Sequence, residues 1–327
     1  MAITAFVTGG TGFVGANLVR ELLEQGYAVK ALARPNSNLN NLRGLDLEIV
    51  TGDLNSPDLD QMIAGSQVLF HVAARYSLWH KDRDALYQSN VLGTRNILAA
   101  AKRAKIERTV YTSSVAAIGV AKNGKIADET HQSPVENLIG DYKKSKFYGE
   151  QAAVEAAKSG QDIVIVNPST PIGPMDIKPT PTGEIILRFL NRQMPAYVDT
   201  GLNFIDVRDV AKGHILALEK GKTGQRYILG NENLSLKAFL DRLSAITGLA
   251  APQNTVPLWL PLTVAAIDEY ILARFGKTPS VAVDGVKMSA QKMYYNPSKA
   301  VQELGLPQSS LNVAIADAVN WFQKNSI

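Results

Sequence analysis

The sequence contains no cysteine. Disulfide staples, thiol nucleophiles and cysteine-held metal sites are therefore excluded. Histidine is scarce: His71, His80, His131 and His214 are the full set, and none stands in an H-E-x-x-H or close H-x-H arrangement. No metal site is predicted, and ordinary structural roles are expected for all four. Aromatic residues make up 7% of the chain and interleave with no basic cluster, so nucleic-acid binding is not expected. Charge is close to balance, a net +4, diffuse and suited at most to an anionic small ligand. No transmembrane segment is predicted. The greasiest stretch, Pro257 to Phe275, is interrupted by Pro261, Asp268 and Glu269. It is expected as a packed helix, with a greasy substrate wall or a membrane-facing patch as the alternative. The chain enters its first strand without the basic region and apolar stretch of a signal peptide, so a cytoplasmic location is expected.

What is present is enough for a large core. The chain has 327 residues, 46% hydrophobic and 20% charged, which predicts one large domain with a smaller appended lobe. The apolar run Ile3 to Thr8 reads as a buried strand and enters Gly9-Gly10-Thr11-Gly12-Phe13-Val14-Gly15. The glycines satisfy G-x-G-x-x-G at 10, 12 and 15. A helical stripe of Val14, Leu18, Leu22 and Leu23 follows and stops at Gly26. Strand, glycine turn and helix in that order make a nucleotide site: glycine lets backbone N–H groups approach a pyrophosphate, and the helix start favours the anion.

Further strands are predicted at Ala28–Ala33, Leu47–Thr51, Val68–His71, Arg108–Thr112 and Ile163–Val166. Helices are predicted from about Leu86 to Ala104 and from Asp141 to Ala157. This alternation predicts an α/β fold, a doubly wound parallel sheet of Rossmann type, with ligands beyond the carboxyl ends of the strands. The dinucleotide domain is assigned residues 1–168 with parts of 195–230, and a smaller, mostly helical substrate lobe residues 169–194 and 231–327. From Pro168 to Gly183 proline and glycine suggest loops over a cleft. Helices at Glu184–Leu190, Val207–Leu218, Leu236–Thr247 and Leu311–Lys324 are expected to build much of the lobe.

Tyr142 and Lys146 are four residues apart and share a helix face. An ammonium beside a phenol favours the phenolate, so Lys146 is expected to lower the Tyr142 pKa and fit it for proton transfer.

With the glycine turn and this pair in place, the chain resembles the extended short-chain dehydrogenase/reductases over nearly its full length. Val110-Tyr111-Thr112-Ser113-Ser114 is similar to the strand that delivers the family's catalytic serine, best matched by Ser114, with Ser113 as the alternative. Asn90-Val91-Leu92-Gly93-Thr94 resembles its N-V-x-G-T helix, Gly52-Asp53-Leu54 its adenine-contacting turn, and Pro168-Ser169 its nicotinamide loop. Asn296-Pro297-Ser298-Lys299-Ala300 with Glu303-Leu304-Gly305 resembles a C-terminal segment of the family. The resemblance implies catalysis by Ser114, Tyr142 and Lys146. It implies dinucleotide contacts at Gly9, Thr11, Gly12, Phe13, Val14, Arg34, Asp53, Leu54, Ala73, Ala74, Asn90, Thr112, Tyr142, Lys146, Pro168 and Ser169. Substrate contacts are expected at Tyr76, Ser114, Thr170 and Tyr197, with Trp79, His80 and Ile172 as further guesses. A homodimer through the 86–104 and 141–157 helices is the family habit.

Residues at the end of the second strand bear on cofactor choice. An NAD-preferring site usually has an acid there to bind the ribose 2′-hydroxyl. Here stand Ala33 and Arg34, so NADP(H) is expected, with NAD(H) as the alternative. The substrate is expected to be a small molecule carrying a carbonyl or a sugar. Val115-Ala116 after Ser114 lacks the carboxylates that sugar dehydratases use. Leu202 stands where nucleotide-sugar epimerases resemble one another in an arginine, and Arg208 falls on the wrong side of that strand unless the register shifts. Asn167-Pro168-Ser169-Thr170-Pro171 is closer to the dihydroflavonol-reductase-like branch, and the nearest resemblance is to bacterial hopanoid-associated sugar epimerases. The expected activity is NADP(H)-dependent carbonyl reduction. A sugar epimerase linked to hopanoid metabolism is the alternative, and a non-catalytic NADP-sensing regulator a distant one, since such proteins commonly lack the Tyr/Lys pair.

Overall fold

The computed structural model describes residues 2–121, 125–270 and 282–325, so Phe275 and the end of the apolar stretch lie outside the described residues. β1 (Thr4–Thr8) runs through the glycine turn into α1 (Phe13–Glu24). β2 (Ala28–Ala33), β3 (Glu48–Thr51), α2 (Leu59–Ile63) and β4 (Val68–His71) follow. The span read as one helix from Leu86 is α3 (Arg83–Tyr87), a π-helical turn over Gln88–Leu92 and α4 (Gly93–Arg103). Then come β5 (Arg108–Thr112), α5 (Val115–Ile118), α6 (Gly140–Lys158) and β6 (Ile163–Pro168). The remainder holds β7 (Thr170–Ile172), α7 (Pro181–Leu190), β8 (Gly201–Asp206), α8 (Val207–Lys220), β9 (Arg226–Leu229), β10 (Glu232–Ser235), α9 (Leu236–Thr247), α10 (Trp259–Tyr270), α11 (Val283–Met288), β11 (Lys292–Met293) and α12 (Leu311–Asn325).

Among the described residues, strands in the order β3-β2-β1-β4-β5-β6-β9 form one sheet whose pairings are all parallel. This is the doubly wound α/β fold that the alternation predicts. Parallel strands covered on both faces read as continuous apolar runs, and β4 and β6 are buried along their whole lengths. The strand order reverses between β1 and β4. That switch point opens a crevice at the carboxyl ends, where Gly9 and Ala73 face each other. Val207–Leu218 was expected among the lobe helices, but α8 packs on α1. Val210, Ile215 and Leu218 share a core with Leu18 and Leu22 of α1 and Val164 of β6.

A second sheet is built around β8. β10 pairs antiparallel along one edge, from Gly201 to Phe204. The other edge is shared by β11, opposite Gly201 and Leu202, and β7, opposite Phe204 to Asp206. A second core, with Phe204, Phe239, Leu240, Ile315 and Phe322, joins this sheet to α7, α9 and α12.

The proline-rich stretch read as loops thus contains a strand and a helix start. Pro171 is tolerated because β7 pairs with β8 alone. Pro181 opens α7 behind the Thr180 cap, whose hydroxyl accepts from Gly183 N at 3.2 Å. α10 packs on α11 around Ala265, Val283 and Val286, and leaves Trp259, Leu260, Val264, Ile267 and Tyr270 exposed.

Candidate active site

The glycine turn is shaped by close approach. Gly9 sits at φ +74°, and a Cβ there would lie 2.6 Å from Ala73 N. A Cβ on Gly15 would overlap the Gly9 carbonyl. Gly12 N donates to Gly9 O at 3.0 Å, and α1 starts with no side-chain cap and no acid in its first turn. The N–H groups of Phe13, Val14 and Gly15 therefore point out of the helix start without an intrahelical acceptor. Asn41 steadies the turn by donating to Thr11 O at 3.3 Å and Met175 O at 3.1 Å.

Beyond the turn, Arg34 is exposed at the end of β2, and its guanidinium has no ion pair among the described residues. Asp53 is turned into its own loop, its Oδ1 accepting from Asn55 N at 2.9 Å. Leu54 is buried against Gly93. Ala73 N donates to Thr8 Oγ1 at 3.2 Å, while Ala74 is exposed. Thr8 Oγ1 meets His71 Nδ1 at 2.7 Å, His71 Nε2 meets Thr94 Oγ1 at 3.1 Å, and Thr94 donates to Asn90 O at 2.8 Å. Since the Thr94 hydroxyl spends its proton on Asn90, His71 donates from Nε2 and accepts from Thr8 at Nδ1. The ring is neutral, and burial holds its pKa down to about 3, helped by the charge on Lys146.

Ser114 ends the β5 loop and caps α5, its Oγ accepting from Ala116 N at 3.1 Å. With a backbone donor already on the oxygen, the serine proton is free, and Ser114 draws the Tyr142 pKa downward. Ser113 Oγ is buried without a hydrogen-bond partner among the described residues. Tyr142 lies in the first turn of α6 behind Gly140, whose φ of +82° and approach to Asp284 exclude a side chain. Tyr76 packs edge-on over Tyr142, ring centroids 4.5 Å apart. Lys146 is buried one turn on, and its Nζ donates to Thr112 O at 2.9 Å.

The expected lowering of the Tyr142 pKa by Lys146 is corrected. Burial lifts the phenol to about 12, and the pull downward comes from the Ser114 hydrogen bond. Spacing on a helix gave proximity, while desolvation decides the sign. Lys146 itself falls to about 8 through burial, partly offset by Glu150.

The other expected residues divide. Asn90 has both amide protons on protein acceptors, Arg75 O and Ser145 Oγ, each at 2.9 Å, and accepts from Arg75 N at 2.7 Å. It ties the post-β4 loop to α6. Pro168 ends β6, and Ser169 Oγ is buried without a partner. Thr170 opens β7, and Ile172 and Tyr197 belong to the second core or pack against it. Trp79 is half-buried under Lys81, whose ammonium lies 5.2 Å from its ring. His80 bonds the buried Glu269 at 2.5 Å and stacks on Tyr270. Arg208 is held by Asp206 at 2.6 Å and Asp317 at 2.8 Å, so no register shift frees it for a pyrophosphate.

Three further residues were given no place in the site by the sequence reading. Glu150, at i+4 from Lys146, accepts from Asn167 Nδ2 at 2.7 Å and pairs with Arg226 at 2.9 Å. Its spacing was the available signal. His214 accepts from Thr112 Oγ1 at 2.8 Å, because its Nδ1 proton is committed to Val210 O at 2.7 Å. Lys143, buried beside the pair, had no signal beyond its place in the motif.

These residues fit a dinucleotide: free N–H groups at α1, an unpaired guanidinium at Arg34, and an orphaned buried hydroxyl at Ser169. Comparison with known proteins gives the family. Residues 5–230 match the NAD dependent epimerase/dehydratase family. A Synechocystis sp. protein provisionally named dihydroflavonol 4-reductase is 70% identical over 329 residues, 99% of this chain and 96% of that protein. Sterol demethylase protein B of Methylococcus capsulatus is 34% identical over 328 residues, 99% of this chain and all of that one. The crystal structure of gox2253 superposes with a TM-score of 0.88 at 43% identity, over 99% of each chain.

Proposed function

The chain belongs to the NAD dependent epimerase/dehydratase family, within which we propose that it is an NADP(H)-dependent carbonyl reductase. The observation that carries this reading is the placement of Ser114 at the cap of α5 with Tyr142 and the buried Lys146 one turn apart on α6, burial keeping the phenol protonated. A phenol that keeps its proton at neutral pH is suited to give it to an oxygen that gains charge as a carbonyl is reduced. Ser114 orients the same oxygen and stabilises the charge that develops there. Lys146, fixed on Thr112 O, places a cation behind the pair and would hold the nicotinamide ribose.

When bound, the dinucleotide supplies the hydride. Gly9, Thr11, Gly12, Phe13 and Val14 would cradle its pyrophosphate and Arg34 a 2′-phosphate. Asp53 and Leu54 would meet the adenine, and Ala73, Ala74, Thr112, Pro168 and Ser169 would border the nicotinamide end. The engaged Arg208 and Leu202 at the expected arginine position disfavour a nucleotide-sugar substrate.

The test follows NADPH absorbance against product with a panel of aldehydes and ketones. A reductase oxidises NADPH in step with product, whereas an epimerase returns the hydride and shows no net change. Tyr142→Phe is expected to cut turnover by about 10²–10⁴-fold while NADPH still binds by fluorescence. Full activity in that variant refutes the assignment.

A further inference from the structure

Lys143 is buried, only 4% exposed, yet it takes no part in the catalysis assigned above. Its ammonium finds no oxygen among the described residues. The contact it makes is with Met293 Sδ at 3.9 Å. No acid pairs with it: Asp141 lies 3.9 Å from Arg83, Glu150 holds Arg226, Glu269 holds His80, and Asp284, beside Gly140, feels Lys287 and Lys144. A buried cation without a counter-charge is costly to keep. Methionine or leucine would fill the same space more cheaply, so the charge calls for a ligand-side explanation.

Its position supplies one. Lys143 follows Tyr142 directly and leaves α6 about 100° round the helix from it. Met293 packs on the cluster of Val115 and Ile118, the residues that follow Ser114. Met293 also lies on the β8 edge that β7 continues from Thr170, the residue after Ser169. The ammonium is thus bracketed by the elements that carry Ser114 and Tyr142 and by the strand edge leading to Ser169.

We propose that Lys143 anchors an anionic group of the substrate, a carboxylate or a phosphate, next to the reacting carbonyl. The inference rests on the reductase reading and narrows its substrate to acidic carbonyl compounds. Burial lowers the Lys143 pKa to about 8, which leaves the amine mostly charged at neutral pH.

The experiment compares 4-formylbenzoate, its methyl ester and 4-formylphenyl phosphate with NADPH, for the wild type, Lys143→Met and Lys143→Arg. The wild type is expected to favour at least one anion over the ester by about tenfold to a hundredfold in kcat/KM. Which anion wins separates carboxylate from phosphate. Lys143→Met should lose that preference and keep its ester activity and its Tm, and Lys143→Arg should retain the preference in part. A wild type that treats anions and ester alike overturns the proposal. So does a Lys143→Met protein that loses acid and ester activity together, or that melts lower, because the lysine would then be structural. Thermal shifts of the NADPH-loaded protein by the same compounds are read in parallel. Anion-selective stabilisation that needs Lys143, with no turnover of any compound, refutes the reductase reading and upholds the anchor. Turnover without anion selectivity does the reverse.

Discussion

His214 should make the protein sensitive to mild acid in a way one substitution can isolate. The ring is fully buried, its Nδ1 proton given to Val210 O and its Nε2 accepting from Thr112. A second proton has nowhere to go without breaking the Thr112 bond, and burial depresses the pKa from 6.5 to about 4. A depressed histidine stabilises the fold above its unfolded pKa, and that contribution is lost as pH falls toward the folded value. Between pH 7 and pH 5 the unfolded chain takes up the proton and the folded chain does not. With about 1.4 kcal/mol per unit below 6.5, the cost from this ring is about 2 kcal/mol. His71, depressed to about 3, adds in the same direction, whereas Asp176, raised to about 6, works against them by gaining a proton in the folded state. Comparison with His214→Gln cancels both. Urea unfolding followed by tryptophan fluorescence at the two pH values should show the wild type losing about 2 kcal/mol more than the variant. Equal losses would refute a neutral, proton-starved ring. Because the Thr112 carbonyl receives Lys146, activity is expected to fall over the same window.

Other expectations follow from the same geometry. Arg34→Asp should shift preference from NADPH to NADH by about tenfold or more, read as the ratio of the two dissociation constants; an unchanged ratio removes Arg34 from cofactor choice. Gly15→Ala forces a methyl onto the Gly9 carbonyl and should abolish dinucleotide binding in a fluorescence titration, or unfold the turn outright. Ser114→Ala should cost about 10²-fold or more in turnover, whereas Ser113→Ala should leave it nearly unchanged; the opposite order would move the role to Ser113. Glu150→Gln removes the buried countercharge to the half-buried Arg226 and should destabilise the protein by about 3 kcal/mol in denaturant titrations, with stability close to wild type as the contrary result.

What could be read from the sequence was local and periodic. The apolar strand, the glycine spacing and the helical stripe of Leu18 and Leu22 suffice to place β1, the turn and α1, because each is determined within a few residues. β9 was missed because Arg226–Leu229 is four residues long and takes its place beside β6 through contacts far along the chain. Pro171 hid β7, since a proline vetoes a central strand but not an edge. The π-helical turn at Gln88–Leu92 has no periodic mark, yet it sets Asn90 between the post-β4 loop and α6. In the site, the Tyr142–Lys146 spacing put two side chains one turn apart on α6 but did not give the direction of the phenol's shift. Burial, which no spacing encodes, governs the phenol. For the same reason nothing in the spacing marks Lys143 as buried.

The hydrogen bonds from Ala73 through Thr8, His71 and Thr94 to Asn90 all lean one way. Each hydroxyl hands on a proton to the next group and receives one from the last. No member can therefore be exchanged singly at small cost: replacing Thr94 by valine strands the His71 N–H and the Asn90 carbonyl at once. The row behaves as one inherited unit, so drift at any of its positions should be seen only together with drift at the others.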